Sequence, residues 1–492
     1  MKTRYATGLG AGLLLLLNGC STNPVSGKRE VSLVSEGQEV ALGKEADPQI
    51  VAQYGLYENA ELQRFVQERG KQMAAVSHRP NLPYEFKVVD SPVLNAFAIP
   101  GGYVYLTRGI MAHFNNEAQF AGVLGHEIGH VTARHSAQQQ TKATLAQVGL
   151  LGAMIASPRF GQYAEQAQQG LGLLFLKFGR DDEREADQLG VEYSTKIGYD
   201  AHQMAGFFQT LQREQAKSGG EALPDFLSTH PNPGDRFVTV NQLATEWMQK
   251  AGLSNPKVNR ESYLRLIDGI VYGDDPKQGF VENSVFYHPE LRFQFPVPQG
   301  WQVQNTPQQV QMAPQGGKAL LLFTLVPGQT LEAAAQQLVQ QYQLQVAESK
   351  NTTVNGLPAL AVVADQVPQQ QQGQAAPQQQ QAQPSARTLL YLIRYTDKNY
   401  LMLGASSPQD FNTYYPLFSS AAQGFRQLSD PDKINRQPER VRVKTLQLRS
   451  TLQQALRTLQ VPEKRHEEMA ILNGMELNEQ LNAGSQIKVV GY

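Results

Sequence analysis

The reading of this chain turns on the stretch His126-Glu127-Ile128-Gly129-His130. The apolar run Phe120-Ala121-Gly122-Val123-Leu124-Gly125 precedes it, and Asn115, Asn116 and Glu117 stand upstream as helix-start signals. Residues four apart lie one above the other on a helix. His126 and His130 therefore present two imidazoles to one point, as a zinc ion requires of its first two ligands. Glu127 flanks that point and suits a general base acting on water held by the metal. The alternative is two histidines and a glutamate on a surface helix. The apolar neighbours argue against it, because unliganded histidines and a carboxylate are poorly tolerated in a buried setting.

A third ligand must come from elsewhere. Classes that continue as His-Glu-x-x-His-x-x-Gly-x-x-His are excluded, since Ala133 and Ser136 occupy the matching positions. His135 lies five residues past His130, turned off the ligand face of a continuous helix, and reads as a supporting or surface residue. The other solution is a glutamate from a later helix. In Arg180-Asp181-Asp182-Glu183-Arg184-Glu185-Ala186-Asp187, Glu183 and Asp187 share a face and Glu185 points elsewhere. Glu183 is then the third metal ligand, and Asp187 hydrogen-bonds the outer nitrogen of a ligand histidine. The competing reading is a solvated first helical turn whose acids suit the helix dipole.

Together, the His126–His130 motif, Glu183 and Asp187, and Ser228-Thr229-His230-Pro231 with Arg236 resemble family forty-eight of the zinc metallopeptidases, the group that includes the CAAX prenyl proteases. Asn95-Ala96-Phe97-Ala98-Ile99-Pro100-Gly101-Gly102 and Asn23-Pro24-Val25-Ser26-Gly27 are similar to its lipoprotein and periplasmic branch. The resemblance covers residues 20–250. It implies a gluzincin-type fold, one zinc per chain and endopeptidase activity. It also raises His230 above a plain loop histidine, with two roles open. His230 donates to the oxyanion of the tetrahedral intermediate, with Arg236 nearby, or it binds zinc in the resting enzyme and restrains it. We lean toward the second.

The 43 basic and 44 acidic side chains of the 492 residues are balanced, and nothing in them suggests nucleic-acid binding, which needs a basic face. The single cysteine, Cys20, excludes an internal disulfide and a cysteine metal site. Lys2, Arg4 and an apolar run at 13–17, too short to span a bilayer, lead into Leu17-Asn18-Gly19-Cys20, which resembles a bacterial lipobox. This predicts a signal peptide over 1–19 and a lipidated Cys20. Ser21 in place of aspartate resembles the signal for transfer to the periplasmic face of the outer membrane.

Residues 20–34 read as a tether and 35–251 as the zinc metallopeptidase domain. Helices are predicted over 35–46, 60–77, 183–196 and 201–215, with a strand over 84–90. Asn95, Ala96, Phe97 and Ala98 read either as an edge strand that pairs with substrate backbone or as a plain hairpin. The apolar runs within 143–178 suit core helices, with a lid or a membrane-dipping segment as alternatives. Residues 252–261 read as a linker. Strand patterns at 284–294, 301–312, 319–326, 357–367 and 388–406, with helices at 331–345 and 408–425, predict an α+β accessory domain over 262–430 built on an antiparallel sheet. Its glutamine- and proline-rich segment 368–386 reads as a disordered loop. Residues 441–492 suggest a βααβ module. Leu472-Asn473-Gly474-Met475 and Ala483-Gly484-Ser485-Gln486-Ile487-Lys488-Val489 resemble the end of a LysM peptidoglycan-binding module, while Leu448-Arg449-Ser450-Thr451-Leu452 replaces its usual start.

The expected whole is α+β: a mainly helical gluzincin-type domain with a small edge sheet, then an antiparallel-sheet domain, then the LysM-like module. The expected function is zinc-dependent hydrolysis of unfolded or misfolded envelope proteins, with membrane contact through Cys20 and peptidoglycan contact through the module. A chaperone or cell-wall tether with an idle metal site is the alternative.

Overall fold

The computed structural model describes residues 20–142, 178–217, 226, 230, 236–366 and 385–492. The predicted leader, the apolar runs within 143–177 and the glutamine-rich segment 367–384 lie outside the described residues. The chain forms two units, Met1–Gly273 with Glu439–Tyr492, and Asp274–Pro438.

The first unit opens with β1 (Cys20–Thr22) paired antiparallel to β2 (Arg29–Val31). Asn23 Oδ1 accepts from the backbone N–H of Val25 and Ser26 and so sets the turn. Residues 20–34 are therefore not a free tether. Asn23 reaches the Ala133 carbonyl, Leu33 N–H donates to Thr141 Oγ1, and Gln138 donates to Glu30. Polar contacts to residues more than a hundred positions away hold this segment, and local composition cannot reveal them.

Helix α1 (Glu36–Tyr54) starts at a capping box made by Ser35 and Gln38. It runs through Pro48, well beyond the predicted end. Helix α2 (Ala60–Ala74), capped by Asn59, buries Leu62, Val66 and Met73. A three-stranded sheet follows, with β5 (Tyr103–Thr107) in the middle: β3 (Glu85–Val89) runs parallel to it on one side, and β4 (Ala96–Ile99) pairs antiparallel to it on the other. Gly101 and Gly102, both at positive φ, turn β4 into β5, a conformation that glycine adopts without steric cost.

Helix α3 (Arg108–His113) leads to α4 (Glu117–Thr132), which Asn116 caps by accepting from Gln119 N–H. All sixteen residues of α4 are buried, so it is the central helix of the unit. Around it lie α5 (Arg180–Lys196), α6 (His202–Lys217), α7 (Arg236–Lys250) and α8 (Arg260–Ile267). Helix α8 begins inside the predicted linker and packs Tyr263, Leu264 and Ile267 into the core. The amphipathic run of α8, not the polar stretch before it, decides where the unit continues.

Residues 439–492 fold within the first unit. Arg440–Thr445 pairs antiparallel with Gln486–Gly491, with helices Leu452–Thr458 and His466–Asn473 between. Lys488, fully buried, extends Nζ to the carbonyls of Ala112, His113 and Phe114 at 2.8, 3.2 and 3.0 Å. These are C-terminal carbonyls of α3, which have no partner within the helix.

The second unit is built on a seven-stranded antiparallel sheet. Its spatial order is Leu344–Val354, Leu357–Gln366, Ala386–Tyr395, Lys398–Ser406, Ala319–Val326, Gln309–Ala313 and Gln302–Asn305. A four-stranded sheet carries Phe280–Glu282, Val285–His288, Phe293–Pro296 and Arg426–Gln427. Helices Leu331–Gln341 and Phe411–Gln423 accompany them. Several predicted strands resolve into hairpins, for example Ala386–Tyr395 with Lys398–Ser406.

Candidate metal centre

Helices α4 and α5 cross at glycines. A Cβ on Gly190 would lie 2.9 Å from His126 N and 3.0 Å from Gly122 O, and one on Gly125 would lie 2.9 Å from Gly190 O. Backbones this close leave no room for a side chain. The crossing puts the first turn of α5, with Glu183, beside the last two turns of α4, with His126 and His130.

The side chains of His126, His130, Glu183 and His230 converge, with one donor atom from each lying within 4.8 Å of the others. His130 Nε2 is 3.0 Å from His126 Nε2 and 3.4 Å from Glu183 Oε1. His230 Nδ1 is 2.9 Å from Glu183 Oε1 and 3.3 Å from His126 Nε2. All four are buried, and Glu183 Oε2 has no hydrogen-bond partner. Four buried donors aimed at one point are the chemistry of a metal site, not of a hydrogen-bonded core.

Around this cluster sit oriented supports. His126 Nδ1 is 2.9 Å from Asp187 Oδ1. Arg236 donates to both oxygens of Asp187, at 2.8 and 2.5 Å, and its guanidinium lies over the Phe208 ring. Arg236 Nη1 also lies 3.3 Å from Glu183 Oε2, so Arg236 is engaged with both carboxylates and with the Phe208 ring. Phe178 stacks on His130, with centroids 4.0 Å apart, and Phe226 stacks on His230 at 4.6 Å. Phe178 ends an apolar run, but nothing in the sequence marks either aromatic as a neighbour of the histidines.

Glu127 is fully buried, and neither carboxylate oxygen has a hydrogen-bond partner. Burial pushes its carboxyl up, against the opposing pull of His230 and His126. Burial also pushes Glu183 up, but His230 and hydrogen bonds from His130 and His230 outweigh it and hold that carboxyl well below its ordinary range. Burial drives the His130 ring well below its usual value, which keeps it neutral, the form that ligates metal.

Among the other predicted positions, Asn95 and Ala96 are buried, and Phe97 stacks on Tyr105 at 5.0 Å. Asn95, Ala96, Phe97 and Ala98 lead into and form most of β4, which packs against α4. Just before them, the Leu94 carbonyl accepts from Phe226 N–H. Cys20 opens β1, opposite Val31. His135, set aside by the helical-face argument, is buried against His130.

Residues 60–244 match the model of peptidase family M48. The chain carries a peptidase family M48 domain. All the converging side chains fall inside it. A beta-barrel assembly-enhancing protease of Yersinia pestis is 31% identical over 253 residues, covering 49% of this chain and 50% of that protein. Mitochondrial metalloendopeptidase OMA1 of Arabidopsis thaliana is 33% identical over 183 residues, 37% of this chain and 36% of that one. Its namesake in Schizosaccharomyces pombe is 31% identical over 235 residues, 46% and 66% of the two chains. The chain spans about half the length of the Yersinia relative, and the family match ends well before the second unit.

Proposed function

We propose that this chain is a lipid-anchored, zinc-dependent endopeptidase of the bacterial envelope that cleaves unfolded or misfolded envelope proteins. The observation that carries the reading is the convergence of His126, His130 and Glu183 with Glu127 buried beside them. Imidazole and carboxylate donors without cysteine suit zinc in a catalytic set of three protein ligands. Zinc, when bound, polarises the scissile carbonyl and acidifies water.

The chain's own residues do the rest. Glu127 is free of internal hydrogen bonds, so it takes a proton from the attacking water and hands it to the leaving amine. Its raised pKa suits that shuttle. Asp187, clamped by Arg236, fixes the His126 ring and its tautomer. The outer strand β4, led by Asn95, offers backbone groups to an extended substrate. Strand pairing of this kind accepts many sequences, which fits an enzyme for unfolded chains. The names of the beta-barrel assembly-enhancing relatives point to outer-membrane β-barrel proteins as one such class.

His230 is read as a resting-state ligand, because its Nδ1 converges with the other donors. Four protein ligands close the site to water, so cleavage waits on withdrawal of His230. Lipidation at Cys20 would hold the first unit at the periplasmic face of the outer membrane, and no described helix is long and apolar enough to cross a membrane. Residues 439–492 are the candidate for peptidoglycan contact.

The test compares wild type with Glu127→Gln on an unfolded protein, measuring zinc content in both. The variant should keep its zinc and lose about 10²–10⁴-fold in cleavage; equal turnover would sink the enzyme reading. His230→Ala should raise basal cleavage several-fold if His230 restrains the site. A large loss would assign it to the oxyanion instead.

A further inference from the structure

The two ligand histidines of α4 are supported in different ways. His126 leans on a buried carboxylate, Asp187, clamped by Arg236. His130 has no carboxylate behind it. Its Nδ1 lies 2.8 Å from Nδ1 of His135, and His135 Nε2 lies 3.2 Å from Glu185 Oε2. His135 is buried, while Glu185 remains partly exposed.

The order of protons along this chain follows from valence. His130 turns Nε2 toward the donor cluster, so a ring that ligates there keeps its hydrogen on Nδ1. That hydrogen points at His135 Nδ1, which must accept it. His135 then carries its own hydrogen on Nε2 and donates it to Glu185.

What aims His135 is a break in the helix. Helix α4 ends at Thr132, and Arg134 takes φ +63, a left-handed conformation that L side chains rarely adopt. Helical structure resumes over 135–142, with Gln138 N–H bonded to the Arg134 carbonyl. Without this turn, a residue five past His130 would face away from it. The Arg134 side chain pins the turn: it donates to Glu39 at 2.5 Å, Ser21 Oγ at 2.7 Å and the Val34 carbonyl at 2.6 Å. The N-terminal hairpin thus holds the turn that delivers His135.

We propose that His135 is a positioning residue for the metal centre, fixing the ring and tautomer of His130 with Glu185 as its anchor. This rests on the metal-site reading above. Such outer partners typically contribute about 10–100-fold to metal affinity.

The test is zinc affinity by chelator competition on the full chain, alongside the melting temperature of the metal-free protein. His135→Phe keeps the ring volume and removes the acceptor. It should bind zinc at least about tenfold more weakly, with metal-free melting close to wild type. His135→Gln keeps an acceptor for the His130 hydrogen and should recover part of the loss. Glu185→Leu, at a partly exposed position that a folding defect would not confound, should weaken zinc less. It should add nothing in the His135→Phe background, because Glu185 acts through His135. Wild-type affinity in both His135→Phe and Glu185→Leu overturns the inference while leaving the metal site standing. Wild type that takes up no stoichiometric zinc overturns the metal-site reading and this inference together.

Discussion

The two units bury different things. Among the described residues of the second unit, the buried polar side chains are Gln294, Thr388, Asn399 and Ser406, with no carboxylate, lysine or arginine among them, and the half-buried His288 ring is pushed down to about 4 by burial alone. Its core is a run of rings: Phe293 packs against Phe323, Phe425 and Tyr400 at centroid distances of 5.1 to 5.4 Å. The first unit buries His126, Glu127, His130, His135, Glu183, Asp187, His230 and Arg236 around one point, and Glu39, Arg79 and Arg134 nearby. Desolvating an ionisable group is costly unless something compensates. A core of rings needs no further explanation. A core of carboxylates and imidazoles does, and perturbed groups crowded in one place mark chemistry. The contrast locates function in the first unit without reference to any relative.

Mutations that hit one kind of core and not the other sharpen that contrast. The largest effect on the site is expected from Glu183→Ala. Loss of one ligand should weaken zinc by about a thousandfold, roughly a quarter to two-fifths of the 10–16 kcal/mol seen for structural zinc in zinc-finger peptides, and abolish cleavage. Zinc titration and a peptide assay on the variant measure both. Next is Lys488→Met, which leaves buried carbonyls of α3 without a donor. It should destabilise the first unit by about 2–3 kcal/mol in urea unfolding of the zinc-free protein, although it lies in the C-terminal stretch. A variant as stable as wild type would mean that 439–492 merely rests on the peptidase unit. The smallest effect on the site is expected from Phe293→Ala. It should cost the second unit about 3–5 kcal/mol and leave zinc content unchanged. Zinc loss in that variant would break the contrast.

The parts legible in the sequence were those written in local spacing. Four-residue repeats put His126 over His130 and Glu183 over Asp187, and Asn116 marked the start of the helix that carries the histidines. What stayed hidden depended on distant contacts or on unadvertised backbone. Arg134 is not a residue that announces a left-handed turn, so the sequence leaves His135 open between a supporting and a surface residue. The hairpin at 20–34 looked like a tether because its partners, Ala133, Arg134 and Thr141, lie far along the chain. The strand Leu344–Val354 was missed because it is exposed almost throughout, so no apolar alternation marks it. Nothing local marks Gly125 and Gly190 as the crossing point of two helices, where a Cβ on either would lie about 3 Å from the other helix's backbone.

The central claim is that the buried charges of the first unit hold one zinc ion. Anomalous diffraction at the zinc edge, from crystals of the full chain grown with zinc, tests it most directly. The account predicts one strong peak per chain, about 2.0–2.2 Å from His126 Nε2, His130 Nε2, a Glu183 oxygen and His230 Nδ1. A map with no peak among these side chains, or with its strongest peak elsewhere, would contradict it.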